Sequence, residues 1–117
     1  MRRKFPSALS IAIAAALALA GPASAECAKP TGKAPVMPQG ATATDEEMRA
    51  GHDKLQAYVK VLEAYQACLE KEIKDAPPDT KPEVKQHWQA LADSAISAAQ
   101  EIADVYSAQL RAFKSRD

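Results

Sequence analysis

Two consecutive prolines, Pro77 and Pro78, separate two long stretches that each repeat with helical period, and no other feature limits the fold as strongly. A helix cannot run through such a pair, because neither ring supplies an N–H and each disfavours helical backbone before it. Upstream, Met48, Leu55, Leu62 and Leu69 recur every seven residues, with Tyr58, Val59, Tyr65 and Ile73 at the adjoining positions. This is the seam of a coiled coil and not the alternation of a strand. Downstream, Val84, Trp88, Leu91, Ala95, Ala98, Ile102 and Val105 form one stripe, and Ala92, Ile96, Ala99, Ala103, Tyr106, Leu110 and Phe113 form a second beside it. Together the stripes cover about half of the helix circumference, more than a two-stranded seam uses.

The ends of both helices are marked. Thr44-Asp45-Glu46-Glu47 has the spacing of a capping box, with three acids at the positive end of the helix dipole. Thr80-Lys81-Pro82-Glu83 repeats that spacing, with proline in the first turn. The spacing predicts helices over about 45–75 and 82–114, each about 45 to 50 Å long. A short turn between them makes an all-α antiparallel hairpin over 44–117. With the turn centred near Pro78, residue i faces roughly residue 156 − i. Tyr58 is then expected opposite Ala98 and Ala99, Leu62 opposite Ala92 and Ala95, and Tyr65 opposite Leu91. At the open end, Asp45, Glu46 and Glu47 come near Arg111, Lys114 and Arg116. Large side chains meet small ones, so the layers can interdigitate.

Residues 26–43 contain Pro30, Gly32, Pro35, Pro38 and Gly40, a composition that excludes helix and predicts an extended arm. Before it, Arg2-Arg3-Lys4, an apolar run from Ala8 to Ala20 and Ala23-Ser24-Ala25 form an export signal over 1–25. The apolar run is too short to span a bilayer, so no stable membrane insertion is expected after cleavage. Arg2-Arg3-x-Phe5 also resembles the core of a twin-arginine signal, which leaves the export route open. Glu26 before Cys27 argues against a lipobox. The expected address is periplasmic or secreted.

Cleavage after Ala25 leaves 117 − 25 = 92 residues, with 15 − 3 = 12 basic against 15 acidic side chains, a net charge of −3. That balance argues against nucleic acid or an anionic membrane as the main partner. Cys27 and Cys68 are the two cysteines. In an oxidising compartment a single intramolecular disulfide is the leading reading, with free thiols or an intermolecular bridge as alternatives. The 17 residues from Cys27 to Thr44 reach about 55 Å, against roughly 36 Å of helix between Thr44 and Cys68, so the arm can travel back along the hairpin. Val36, Met37 and the prolines are expected over the flank formed by Val61, Tyr65 and Cys68.

Catalytic signatures are missing. With Gly32, Gly40 and Gly51 as the glycines after the signal, the chain has no phosphate-cradling loop, and no Gly-x-Ser-x-Gly turn. Ser94, Ser97 and Ser107 lie within the second helix as solvated or small packing positions. His87 follows Glu83 by four residues, with Glu70 or Glu72 expected across the hairpin, which is raw material for a metal site. A half-exposed histidine beside surface carboxylates at the end of the hairpin is the preferred account. His52 is expected opposite Asp104, far from His87. Glu70 with Lys74 reads as an i,i+4 surface pair. Trp88, Tyr58, Tyr65, Tyr106 and Phe113 read as core, with an aromatic pocket as the alternative. No catalytic, cofactor-binding or metal-binding residue is assigned.

Pro35-x-x-Pro38-x-Gly40, Glu47-Met48, Ala57-Tyr58-Val59, Glu63-Ala64-Tyr65-x-x-Cys68-Leu69-Glu70 and Tyr106-x-x-Gln109-Leu110-Arg111-x-Phe113-Lys114 resemble small exported proteobacterial proteins of unknown function. The resemblance covers most of the chain after the signal. It implies a periplasmic address and no activity. Where that pattern has Asn after the late aromatic, this chain has Ser107.

The expected function is a non-enzymatic helical module, structural or protein-binding. Its partner is another protein or, as a weak homodimer, a second copy, met through Ile96, Ala99, Ala103, Tyr106 and Leu110. Such an apolar stripe on a polar chain marks an interface. The alternatives are that the arm covers this stripe, or that the protein binds a small ligand or metal.

Overall fold

A computed structural model describes residues 27–116. The export signal expected over 1–25 lies outside the described residues, as do Glu26 and Asp117. The chain folds as two packed helices, α1 (Asp45–Asp75) and α2 (Pro82–Lys114), with no strand among the described residues. The expected helix limits are met at both ends of each.

Helix α1 begins as its sequence dictates. The Glu47 N–H donates to the Thr44 hydroxyl at 3.0 Å, and the Thr44 N–H donates to the Glu47 carboxylate at 2.8 Å. The start of α2 differs from the expected capping box. Its N-cap is Lys81, which makes no side-chain capping bond, and Pro82 is the first helical residue. A proline forces the residue before it out of the helical region, so Lys81 stays extended (φ −66°, ψ 140°) and Thr80 falls one position too early to cap. The Thr80 N–H instead closes the connecting turn on the Pro77 carbonyl at 3.0 Å.

Two buried clusters hold the hairpin. Near the connecting turn, Leu62, Tyr65 and Leu69 of α1 pack on Ala92 and Ala95 of α2, with Tyr58, Trp88, Leu91, Ala98, Ala99 and Cys27 around them. Large residues on one helix against small ones on the other let the helices approach closely. Near the open end, Leu55 and Ile102 pack with Met37 of the arm, flanked by Tyr58, Val59 and Tyr106. The register agrees with expectation to within about two residues, since His52 lies beside Tyr106 and not opposite Asp104.

Cys27 and Cys68 form an intramolecular disulfide. The arm that it ties down takes a different path from the expected one. Met37 inserts at the helix groove with Leu55 and Ile102, while Val36 is 89% exposed and Val61 is 50% exposed. Only Cys27 joins the cluster on which Tyr65 sits. Val84 and Val105, assigned to the first stripe of α2, are also exposed.

Candidate functional site

Glycine placement explains how the arm is seated. Gly51 lies inside α1, where glycine weakens a helix by roughly 1 kcal/mol relative to alanine. A Cβ added there would lie 2.5 Å from Pro38 Cδ, so the missing side chain is what lets the arm press on the helix backbone. Gly40 plays the same part against α2. A Cβ at Gly40 would collide with the Gln109 carbonyl group and crowd the Phe113 nitrogen. The Gly40 N–H donates to Gln109 Oε1 at 2.7 Å, and Arg116 donates to the Gly40 carbonyl at 2.9 Å. Arg116 also stacks over Phe113, 4.4 Å from the ring centre. The Thr42 and Ala43 N–H groups both donate to the Gln39 carbonyl, folding the arm into the α1 N-cap.

Arg116 is therefore committed to the arm. Asp45, Glu46 and Glu47, expected near Arg111, Lys114 and Arg116, form no ion pair with them; among the described residues the one ion pair is Lys71 with Asp75, at 2.8 Å. The capping box engages Glu47, which removes it from such pairing. Hydrogen bonding to Asp75 raises the Lys71 pKa, and the same bond lowers that of Asp75. The expected Glu70–Lys74 pair is replaced by a hydrogen bond from Gln66 to Glu70 at 2.9 Å.

The arm occupies one flank of the hairpin only. Its concavity against α1 is bordered by Glu47, Ala50, Gly51 and Lys54. On the other flank, a cleft of about 440 Å³ is lined by Met48, Arg49, His52, Tyr106, Leu110 and Phe113, with Asp45 and Asp53 at its edge. Farther along the same flank, Ala103 lies with Leu55, Gln56, Val59, Lys60 and Glu63 around a cleft of about 340 Å³. No arm residue lines either cleft.

All five candidate interface residues, Ile96, Ala99, Ala103, Tyr106 and Leu110, are half-buried. They do not have equal freedom. Ala99 packs on the cluster near the turn, and Tyr106 is engaged within the hairpin. The Tyr106 ring lies 5.5 Å from that of His52 and its hydroxyl donates to the Met48 carbonyl at 3.4 Å. Ala103 and Leu110 face the clefts, and Ile96 shares the face of Ala103 by its seven-residue spacing. No arm residue lines the clefts beside Ala103, Tyr106 and Leu110, although Tyr106 packs against the cluster that contains Met37 of the arm.

His87 and Glu83 are both exposed, and the described residues contain no group of three or more potential metal ligands. What sequence reasoning missed is the arm seat formed by Pro38, Gly40, Gly51, Gln109 and Arg116. An isolated glycine inside the strong periodicity of α1 was the available signal.

No protein-family model matches the chain, and no curated protein or solved structure is significantly similar to it. No described helix is long and apolar enough to cross a membrane, and the disulfide is consistent with an extracellular or periplasmic location.

Proposed function

We propose that this protein is a non-enzymatic helical interaction module of the periplasm or extracellular space, and that the flank away from the arm meets a second copy of the chain. One observation supports this reading above the others. The arm closes one side of a two-helix hairpin, while Ile96, Ala103 and Leu110 stay half-buried on the other, beside Val59. Two such hairpins, face to face, form a four-helix bundle, and small residues at the contact permit close approach. Sedimentation of the oxidised protein over a range of concentrations tests it. Ala103→Glu should abolish association and preserve helical circular dichroism, because Ala103 lines a cleft; Val105→Glu, on the arm flank, should leave association intact. A protein that stays monomeric at high concentration contradicts the reading.

A small amphipathic ligand is the second reading, favoured by the cleft at His52. Its floor of Met48, Tyr106, Leu110 and Phe113 is apolar and its rim carries Arg49. Binding of an anionic apolar dye that is lost in Leu110→Glu and Arg49→Ala, with no change of mass in solution, would support that reading over the dimer.

A further inference from the structure

The arm consists of two parts that are held in different ways. From residue 28 to residue 36 every position is exposed except Pro30 and Pro35, which are half-buried, and none of these residues hydrogen-bonds to another described residue. From Met37 to Ala43 the chain is seated: Met37, Gly40 and Ala43 are buried, Pro38 lies on Gly51, and Gln109 and Arg116 grip both polar groups of Gly40. Beyond the free stretch lies Cys27, bonded to Cys68. A loose span thus runs between a covalent anchor and a packed one.

We propose that this arm is a redox-opened strap whose anchors release separately, and that the seat around Gly40 holds the Cys27–Cys68 bond closed. An external dithiol opens the first anchor. Its thiolate attacks one sulfur, the Cys27–Cys68 bond breaks, and its second thiol then closes a disulfide within the dithiol. The dithiol supplies two electrons, and its two protons end on Cys27 and Cys68. Residues 27–36 swing away, baring the flank of α1 that Cys27 covered, next to exposed Val61. The seat does not depend on the disulfide and stays in place.

Geometry sets the direction and size of the coupling. Met37 lies at Leu55, so the seated tether of 37 − 27 = 10 residues spans the 68 − 55 = 13 residues of helix to Cys68, about 20 Å. A flexible ten-residue chain has a natural span of about 17 Å. Without the seat the tether starts at Thr44, and 17 residues with a natural span of about 23 Å must reach about 36 Å. Stretching a chain beyond its natural span disfavours ring closure, here by roughly tenfold. Coupling is reciprocal, so a closed disulfide stabilises the seat by the same factor.

The experiment equilibrates the oxidised protein with dithiothreitol buffers, counts trapped thiols, and follows backbone amide exchange. In the reduced parent protein the Gly40 amide should remain protected, its protection lowered by no more than the same factor of about ten. Gly40→Val places a side chain against the Gln109 carbonyl; it should expose the Thr42 and Ala43 amides and move the thiol–disulfide equilibrium about tenfold toward thiols, with helical content kept. Should that variant fail to fold, Gln109→Ala with Arg116→Ala removes both hydrogen bonds without added bulk and should move the equilibrium the same way by a smaller factor. An unchanged equilibrium in an unseated variant overturns the coupling. Complete loss of Gly40 protection on reduction of the parent protein overturns the separate release.

Discussion

The two ends of the hairpin solve the same packing problem differently. Near the turn, leucine and tyrosine from α1 lie on alanines of α2, and the helices need little else between them. At the open end, the interface includes a third element, with Met37 against Leu55 and Ile102 and two glycines where arm and helix backbones meet. The hairpin is thus closed by side-chain size at one end and by the absence of side chains at the other. In a chain of this size a single core is marginal, so both devices contribute to closing the hairpin.

The largest expected effect tests the turn end. Leu69 is buried there, so Leu69→Ala should lower stability by about 3 kcal/mol in chemical denaturation, by lost burial and the cavity left behind. If that end is helix-on-helix alone, Gly40 amide protection should fall only in step with global stability. A selective loss at Gly40 would show that the two ends are not independent.

Gly51→Ala probes the open end, and its sign is decisive. Helix propensity alone would stabilise α1 by roughly 1 kcal/mol, whereas Pro38 stands where the new methyl must go. Overpacking of this kind costs about 1–3 kcal/mol, so net destabilisation is expected, with exchange rising at Gly40 and Ala43. A higher melting temperature with the arm still seated would refute the account of that glycine.

Legibility from sequence follows the same division. The turn end was readable, because heptad leucines, alanines and a proline pair are local signals, and the expected helix limits and opposed residues agree with the structure. The arm's path was not. Reach alone permits Val36 and Met37 to lie along the Val61 flank, but Met37 gains more burial between the helices, and only the folded pair creates that groove. Arg116 illustrates the same point, since charge pattern assigns it to acids, whereas the completed fold offers it a backbone carbonyl and an aromatic face. The five stripe residues are half-buried, and the share of Tyr106 and Ala99 already used inside the hairpin depends on register at the level of single residues.

Smaller effects refine the contrast at the helix termini. Thr44→Ala removes one half of the capping box and should cost about 1 kcal/mol in denaturation, with Glu47→Ala costing less because the Thr44 bond to the Glu47 amide survives. At the other end of α1, the Lys71–Asp75 pair is exposed, so salt should weaken it. The lowered Asp75 pKa means that its contribution is present above the ordinary aspartate range and fades as pH falls through the folded value. The raised Lys71 pKa places the opposite limit at alkaline pH, where the contribution disappears as the ammonium loses its proton. Asp75→Asn should therefore alter thermal unfolding only slightly at neutral pH and not at all in strong acid, a difference that a paired pH series measures.

The grip on Gly40 also fixes an order of events in making the protein. Synthesis runs from the N-terminus, so Cys27, Cys68 and both halves of the Pro38–Gly51 contact exist before α2 does. Gln109 and Arg116 are made only after all of these. Until they arrive, the arm has a sulfur partner and only the Gly51 half of its seat, and with two cysteines in the chain any competing disulfide must be with another molecule. Synthesis of Gln109 and Arg116 is thus the step that commits the arm to its place.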